Sequence, residues 1–308
     1  MISEFAFEPE VMARWEHFKS FWGDFGIAQR RQLGCYPKQW KREVMDRARA
    51  LVREKINTEM QVARMESKLS GPEAKPKFRK VNCSDWNAER AWLENTCAHE
   101  PAFEVIVAGS AASGASVVSA SDLLRDEPPY ARDPEVEIER TPDAIVRAVW
   151  PLLAQSTEII LVEPNFDPRE PRFLGVVEKI VDAIHAQERI PRRFEIHTSK
   201  YRKTNGQTQL RLQAHHFENT LSPILYAGWT VTVCCWAENR VQDYQHPRFI
   251  LTEIGGIHID WGLDAGEAGA MTIAKGLGEN LHARYFPRYS SIGADFLGDR
   301  DNNSFVIY

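Results

Sequence analysis

The chain has 308 residues, of which 43% are hydrophobic and 26% are charged, and it contains nine tryptophans. Such a composition is typical of a folded globular protein, and the length suits one large domain with an appendage. No run of about 18 apolar residues occurs, so we expect no membrane span. The first seven residues include Glu4 and lack the basic start of a signal peptide, which favours a cytoplasmic protein.

The five cysteines point to no metal or disulfide chemistry. Their number is odd, Cys234 and Cys235 are adjacent, and no C-x-x-C spacing occurs. This pattern favours neither a disulfide framework nor a zinc cluster, and it fits a reducing cytoplasm. We therefore expect no bound metal and no cofactor.

Charge is distributed unevenly along the chain. Residues 1–80 contain 17 Lys and Arg against 11 Asp and Glu, a net charge of +6, whereas residues 81–308 carry a net charge of −11. A basic segment of this kind can meet an anionic partner, either nucleic acid or an acidic protein surface. The alternative is that the two parts attract each other or that the basic face is merely solvated.

Residues 1–70 are predicted to form a helical basic domain. Aromatic residues recur at helical spacing between positions 18 and 25, and a second helix is predicted from Pro37 to about Leu69. A Pro- and Gly-containing run at 71–80 is typical of a linker. The second helix has a basic face, so we predict nucleic-acid contacts there, although a helical hairpin that docks a partner fits equally. The candidate residues are Lys38, Lys41, Arg42, Arg49 and Arg53.

Residues 81–308 alternate between apolar runs and helical patterns. Thr141-Pro142 is a typical helix start, and helices of twelve or more residues between strands indicate crossover connections. The sequence therefore predicts an α/β domain in which helices cover both faces of a mostly parallel sheet. The predicted strands are 103–108, 136–139, 158–162, 193–197, 229–236, 246–252 and 257–260, and the predicted helices are 141–154, 171–186 and 208–225.

Two groups of polar residues follow predicted strands of this domain. Glu163 and Asp167 come after the strand 158–162, where open parallel sheets place ligands. They could bind a metal with Asp260 or Asp264, or they could cap the next helix. The loop 200–207 is basic, and we predict phosphate contacts there unless the loop is simply solvated. The candidate residues of that loop are Lys200, Arg202 and Lys203.

The most informative motif is His246-Pro-Arg248 followed by Glu253. Alternate residues of a strand share a face, so His246 and Arg248 are predicted to point the same way. A nucleophilic imidazole beside a fixed cation suits attack on a phosphodiester. The same residues could instead bind a phosphate without turnover, or tie a buried strand to its neighbour.

From about Asp85 to Asp264 the chain resembles the phospholipase D superfamily, whose signature is H-x-K with an acid five residues later. It is most similar to the C-terminal phospholipase-D-like domain of microtubule-interacting-and-trafficking proteins and their bacterial relatives. The resemblance implies an α/β/α sandwich, a homodimer and, in the eukaryotic members, binding of anionic lipid or protein without catalysis. It rests on His246, Arg248, Glu253, Gly255 and Gly262-Leu263-Asp264.

The chain departs from the active members of that superfamily in several respects. The Lys is Arg248, the Asp is Glu253, the usual Gly-Ser-x-x-Asn is missing, and no second motif is visible. Arginine can still bind phosphate through its planar fork, but it cannot give up a proton. An active site would have to pair two His246 residues across a dimer.

We therefore predict a subunit of a bacterial complex that binds nucleic acid or another anionic partner and is non-catalytic or weakly catalytic. Phage defence and DNA processing are the settings expected by analogy. The alternative is a metal-independent phosphodiesterase or nuclease that acts as a dimer through a covalent phosphohistidine on His246. A second alternative is an anionic-lipid-binding module.

Overall fold

The computed structural model describes residues 3–79, 81–109, 116–123, 135–204, 208–237, 248–298 and 301–308, with residues 202–204 and 208–210 described by their backbone alone. Contacts divide the chain into an N-terminal unit, Ile2–Pro134, and a C-terminal unit, Glu135–Tyr308. None of the helices in these described ranges combines the length and the apolar character needed to cross a bilayer.

The N-terminal unit contains a five-stranded sheet in the order β3-β2-β1-β4-β5. All four neighbouring pairs are parallel. Strand β1 lies centrally, with the chain extending the sheet first to one side and then to the other, as in doubly wound folds. The strands are β1 (Ser3–Phe7), β2 (Arg31–Gly34), β3 (Phe78–Arg79), β4 (Val105–Ala108) and β5 (Val117–Ser119).

Helices connect these strands and bury a core on each face of the sheet. Phe7 and Val107 pack in a cluster with Trp40, whereas Ala6 and Ile106 pack in a second cluster with other aromatic residues. Alternate residues of a strand thus serve opposite faces. The helices are α1 (Pro9–Ala13), α2 (Trp15–Trp22), α3 (Trp40–Arg53), α4 (Glu59–Ser70) and α5 (Trp92–Cys97), with a 3-10 helix at Pro72–Lys77.

The predicted boundary between a helical domain 1–70 and a sheet domain 81–308 is wrong. Strand β1 of the first segment pairs with β4 of the second, and β3 lies within the predicted linker and pairs with β2. Pro72 and Pro76 fit a 3-10 helix, and the buried Lys77 donates to the Phe25 carbonyl at 2.7 Å. The predicted helix from Pro37 to Leu69 is two helices, because Thr58 starts α4 with a capping box.

The C-terminal unit contains an eight-stranded sheet in the order β15-β11-β8-β7-β12-β13-β14-β6. Only the pairs β7–β8 and β8–β11 are parallel among the described residues, so the prediction of a mostly parallel sheet is wrong for this unit. The strands are β6 (Glu135–Glu139), β7 (Glu158–Val162), β8 (Arg193–Ser199), β11 (Val231–Trp236), β12 (Phe249–Thr252), β13 (Gly255–Ile259), β14 (Met271–Gly276) and β15 (Asn303–Ile307).

Among the described residues, five helices and a separate ribbon accompany this sheet. The side chain of Thr141 accepts from Ala144 N and starts the first helix, as its sequence predicts. Part of the predicted helix 208–225 is instead a strand of the antiparallel ribbon, β9 (Tyr201–Thr204) and β10 (Thr208–Arg211). The helices are α6 (Pro142–Leu153), α7 (Pro171–His185), α8 (Ala214–Leu221), α9 (Glu279–Arg288) and α10 (Ala294–Leu297), with a 3-10 helix at Ser222–Ile224.

The antiparallel strands β12 and β13 bring distant segments to one end of the sheet. Phe249 pairs with Val162, the last residue of β7, so Arg248 lies beside the residues that follow β7. Strand β13 runs back to the same end, where Ile259 N donates to the Arg248 carbonyl. Residues 163, 248 and 260–264 are therefore neighbours in space.

Candidate phosphate-binding site

Glu163 is the central acid at this end of the sheet. Its side chain is buried and accepts from two backbone N–H groups, Asn165 N to Oε1 and Leu263 N to Oε2, each at 2.9 Å. Burial raises the pKa of Glu163, while these two donors and the charge of Arg248 act in the opposite direction. The carboxyl group is thus fixed in place and easier to protonate than an exposed glutamate.

Gly262 occupies a position where no other residue fits. Its φ is +126°, and a Cβ there would lie 2.8 Å from Asp264 Oδ1, 3.1 Å from Glu163 Oε2 and 3.5 Å from Arg248 Nε. The three side chains therefore converge on the face of one glycine. This geometry accounts for the Gly262-Leu263-Asp264 motif, because Leu263 supplies the N–H to Glu163 and Asp264 binds arginine.

Asp264 is buried and holds two arginines from other elements. Arg140 Nη2 donates to Oδ1 at 2.5 Å, and Arg172 Nη1 donates to Oδ2 at 3.1 Å. We call Arg140, Arg172 and Arg248 the arginine cluster. Their side chains are 17%, 51% and 22% exposed, so each reaches solvent while the acids beneath them do not.

Two donors of the arginine cluster have no acceptor among the described residues. Within the described part of the chain, Arg140 Nε and Arg248 Nε are buried and have no hydrogen-bond partner. The Nη1 of Arg248 donates to the Asp260 carbonyl at 2.9 Å, but its Nε is 3.6 Å from Glu163 Oε2, too long for a hydrogen bond. Buried donors without acceptors are costly, so each requires an explanation such as a bound ligand.

This arrangement suits an anion better than a cation. Three guanidinium groups contact three carboxylates, Glu163, Asp264 and the Glu170 that accepts from Arg172 Nε, so the charges balance, and one positive charge is in excess when Glu163 is protonated. The planar fork of arginine matches phosphate oxygens in a bidentate geometry. The buried acids hold the guanidinium groups in fixed orientations, so little side-chain entropy remains to be lost on binding.

The alternative of a metal site formed by Glu163, Asp167, Asp260 and Asp264 does not fit this geometry. Asp264 is occupied by two arginines, and Asp167 accepts from Arg169 Nε at 2.8 Å and from its Nη2 at 2.5 Å. The charge of a carboxylate paired with guanidinium is already compensated, and the adjacent guanidinium repels a metal cation. These acids orient arginines instead.

Two residues of the predicted catalytic motif, Arg248 and Glu253, lie far apart. Glu253 lies at the far end of β12, and five residues of extended strand separate it from Arg248 by about 17 Å. There it accepts from Thr157 N, Thr157 Oγ1 and Glu158 N, which fixes the start of β7. His246 lies outside the described residues.

Lys200 of the basic loop 200–207 is buried, and the backbones of Arg202 and Lys203 lie in a strand. Lys200 is 6% exposed and donates to the Asp301 carbonyl at 2.5 Å, so it supports the fold and does not face a ligand. Arg202 and Lys203 lie on β9, which begins where β8 ends. Because β7 and β8 are parallel, this ribbon starts at the same end of the sheet as Glu163.

Most of the side chains that were predicted to contact nucleic acid in the N-terminal unit bind other groups of the protein. Lys41 donates to the Leu69 carbonyl at 3.2 Å and lies over the Phe78 ring. Arg42 pairs with Asp46, and Arg49 pairs with Asp46 and Glu66. Lys38 and Arg53 are exposed, and no ion pair involves either of them in the described ranges. The solvated-face alternative accounts for most of this surface.

A second acid-centred cluster lies in the core of the C-terminal unit. The indole Nε1 of Trp236 can only donate, so His197 Nδ1 accepts from it at 2.9 Å. The ring proton of His197 therefore lies on Nε2, which donates to Glu195 at 3.0 Å. Ser291 donates to Glu195 through its N and its Oγ. Cys234 completes a possible set of metal ligands, but both ring nitrogens are already engaged.

Hydrogen bonds and burial fix the charge states of this second cluster. Burial lowers the pKa of His197, which is therefore neutral. Burial acts to raise the pKa of Glu195, but the donors from His197 and Ser291 lower it overall, so Glu195 is charged. The cluster is a satisfied structural network.

Comparison of the sequence with protein-family models and with curated proteins gives no match. The resemblance to the phospholipase D superfamily therefore stays a prediction. The residues that carry it have physical roles of their own in this structure: Arg248 lies in the arginine cluster, Glu253 fixes the start of β7, and Gly262 allows the close approach of three side chains.

Proposed function

We propose that the C-terminal unit binds the phosphate groups of a nucleic acid at the arginine cluster. The observation that carries the proposal is the convergence of Arg140, Arg172 and Arg248 on two buried acids, with two buried Nε–H groups that find no acceptor among the residues the structure describes. A phosphate accepts several hydrogen bonds from guanidinium groups, so a bound phosphate would remove the free-energy cost of the buried donors that lack acceptors.

The neighbouring ribbon favours a polyanion over a small ligand. Strands β9 and β10 carry Arg202, Lys203 and the exposed Arg211 at the same end of the sheet as the arginine cluster. A chain of phosphates can contact both groups of cations at once, and each phosphate neutralised adds affinity through counterion release.

The proposed role is that of a binding subunit, non-catalytic or weakly catalytic, in a larger assembly. Turnover through a covalent phosphohistidine requires His246 and a second copy of it across a homodimer, so both the nuclease activity and the dimer stay predictions. Size-exclusion chromatography with light scattering measures the dimer directly.

The test is a fluorescence-anisotropy titration of labelled oligonucleotides, single-stranded and duplex, at several salt concentrations. We expect Arg248→Gln to weaken binding about tenfold and to reduce the slope of log affinity against log salt by about 1. The matched control is Arg192→Gln. Arg192 also pairs with an acid, Glu158, but lies before β8, at the opposite end of the sheet, with a side chain 74% exposed.

Equal effects of Arg248→Gln and Arg192→Gln would show only general charge attraction and would contradict the proposal. Two further experiments test the nuclease and the lipid-binding alternatives. Hydrolysis of a phosphodiester in EDTA that is lost in His246→Ala would establish the enzyme. Flotation of the protein with phosphatidylserine vesicles, without oligonucleotide binding, would establish a lipid-binding module instead.

A further inference from the structure

Trp261 lies directly beside the arginine cluster. It follows Asp260, whose carbonyl accepts from Arg248 Nη1 at 2.9 Å, and it precedes Gly262, whose Cβ position is 3.5 Å from Arg248 Nε. Consecutive Cα atoms are 3.8 Å apart. The indole therefore projects from a residue whose two chain neighbours both approach the Arg248 guanidinium.

The indole of Trp261 is exposed although its backbone is fixed. Its relative exposure is 67%, and it is the one tryptophan among the nine, all within the described residues, whose side chain is exposed. Its N donates to the Oγ1 of the buried Thr272 at 3.2 Å, and Gly262 follows in a loop held by Glu163. A large aromatic surface is thus presented to solvent by a rigid segment.

We propose that Trp261 stacks on an unpaired nucleobase whose own or adjacent phosphate binds the arginine cluster, so that the preferred ligand is single-stranded nucleic acid. This inference rests on the proposed phosphate-binding function. Aromatic side chains beside a cationic track are the recurring way in which proteins hold single strands.

The neighbouring charges favour a nucleic acid over a protein partner at Trp261. An exposed tryptophan can also anchor a protein interface. Here, however, the two chain neighbours of Trp261 approach the Arg248 guanidinium, and a nucleotide supplies both a phosphate for the guanidinium and a flat ring for the indole. In a duplex both faces of each base are covered by its neighbours, so stacking on Trp261 requires an unpaired base.

The experiment compares three labelled probes of equal length: oligothymidylate, a duplex, and an abasic strand that keeps the phosphates but lacks the bases. We expect Trp261→Ala to weaken oligothymidylate binding roughly tenfold and to leave the duplex and abasic strand unchanged. Trp261→Phe should retain most of the affinity, because a phenyl ring still stacks. Tyr308→Ala is the matched control, since Tyr308 is 78% exposed and lies outside the site.

A spectroscopic readout accompanies the titration. Oligothymidylate should quench tryptophan fluorescence and protect it from acrylamide in the wild type but not in Trp261→Ala. Equal losses on all three probes, no loss on oligothymidylate, or a loss of self-association in place of binding would each overturn the inference. If Arg248→Gln weakens binding and Trp261→Ala does not, phosphate binding stands and stacking fails; if no probe binds the wild type, the proposed function itself fails.

Discussion

The C-terminal unit contains two acid-centred clusters that differ in how completely they are satisfied. Around Glu195 and His197, both carboxylate oxygens and both ring nitrogens have partners, and the residues are almost fully buried. Around Glu163 and Asp264, the arginines are partly exposed, and within the described ranges two Nε–H groups have no acceptor. We call the cluster around Glu195 and His197 the closed cluster and the cluster around Glu163 and Asp264 the open cluster.

The comparison shows why residues of similar chemistry can stabilise the core in one cluster and bind a ligand in another. A buried polar network that is fully satisfied makes the core rigid and specific, and it offers nothing to a ligand. Charged groups held in place by buried partners, with donors left over, retain the capacity to bind. Residue type alone would have marked the Glu195–His197–Cys234 group as the stronger candidate for a metal site.

Replacing the histidine of the closed cluster should have the largest effect. His197→Phe keeps the ring shape but leaves Trp236 Nε1 and one lone pair of Glu195 without partners, so we expect a loss of about 2–5 kcal/mol in unfolding free energy. Guanidinium denaturation measures it. Oligonucleotide binding by the folded variant should be unchanged, and a marked loss of binding would show that the closed cluster is not purely structural.

The glycine of the open cluster offers a test with an internal control. Gly262→Ala adds a Cβ against Asp264 and Glu163 at a φ of +126°, whereas Gly269→Ala, at a φ of +80°, meets nothing within 4 Å. Backbone strain alone costs about 1–2 kcal/mol. We expect Gly269→Ala to lose that much stability and to keep phosphate binding, and Gly262→Ala to lose more stability and most of its binding. Equal effects on binding would contradict the described convergence.

Neutralising Glu163 should produce the smallest effect, an increase in affinity. Glu163 competes for Arg248 when charged, so Glu163→Gln should strengthen oligonucleotide binding at pH 7 by about 1 kcal/mol, roughly fivefold. Because burial raises the pKa of Glu163 above 4.5, the wild type should bind more tightly as the pH falls through that raised pKa, and lose affinity as it rises.

A second titrating group must be separated from Glu163 in that experiment. Burial lowers the pKa of His258, which lies 3.1 Å from Asp260 and close to Arg248, so it also gains charge at acidic pH. Anisotropy titrations of the wild type and of Glu163→Gln across pH 4.5–7 separate the contribution of Glu163 from that of His258, because His258 is present in both proteins. If the wild type and Glu163→Gln show the same pH dependence, Glu163 does not control the affinity.

Local sequence patterns predicted many elements but not their pairing. The helix at Thr141-Pro142 and the strands at 158–162 and 193–197 were predicted because capping and apolar runs are local signals. The mixed sheet was not predicted, because the residues of β12 carry no local signal for the direction in which this strand pairs with β7. A strand of two residues, β3, is too short to leave a pattern, so its segment resembled a linker.

The candidate site was predictable only where its residues are close in sequence. Arg248 and the Gly262-Leu263-Asp264 run were found as a motif, and Glu163 was found from its place after a buried strand. Arg140 and Arg172 were missed, because their bonds to Asp264 span 124 and 92 residues and leave no spacing to read. Trp261 was missed because exposure cannot be read from a single aromatic residue.

The bare backbone at Gly262 limits how this surface can be diversified by directed evolution. A library that randomises that position would consist mostly of variants with reduced stability and binding, since any side chain approaches Asp264, Glu163 and Arg248. Trp261, which is 67% exposed, is the position where altered selectivity can be sought with the least cost to the scaffold, because Arg140 and Arg172 are the partners of the buried Asp264.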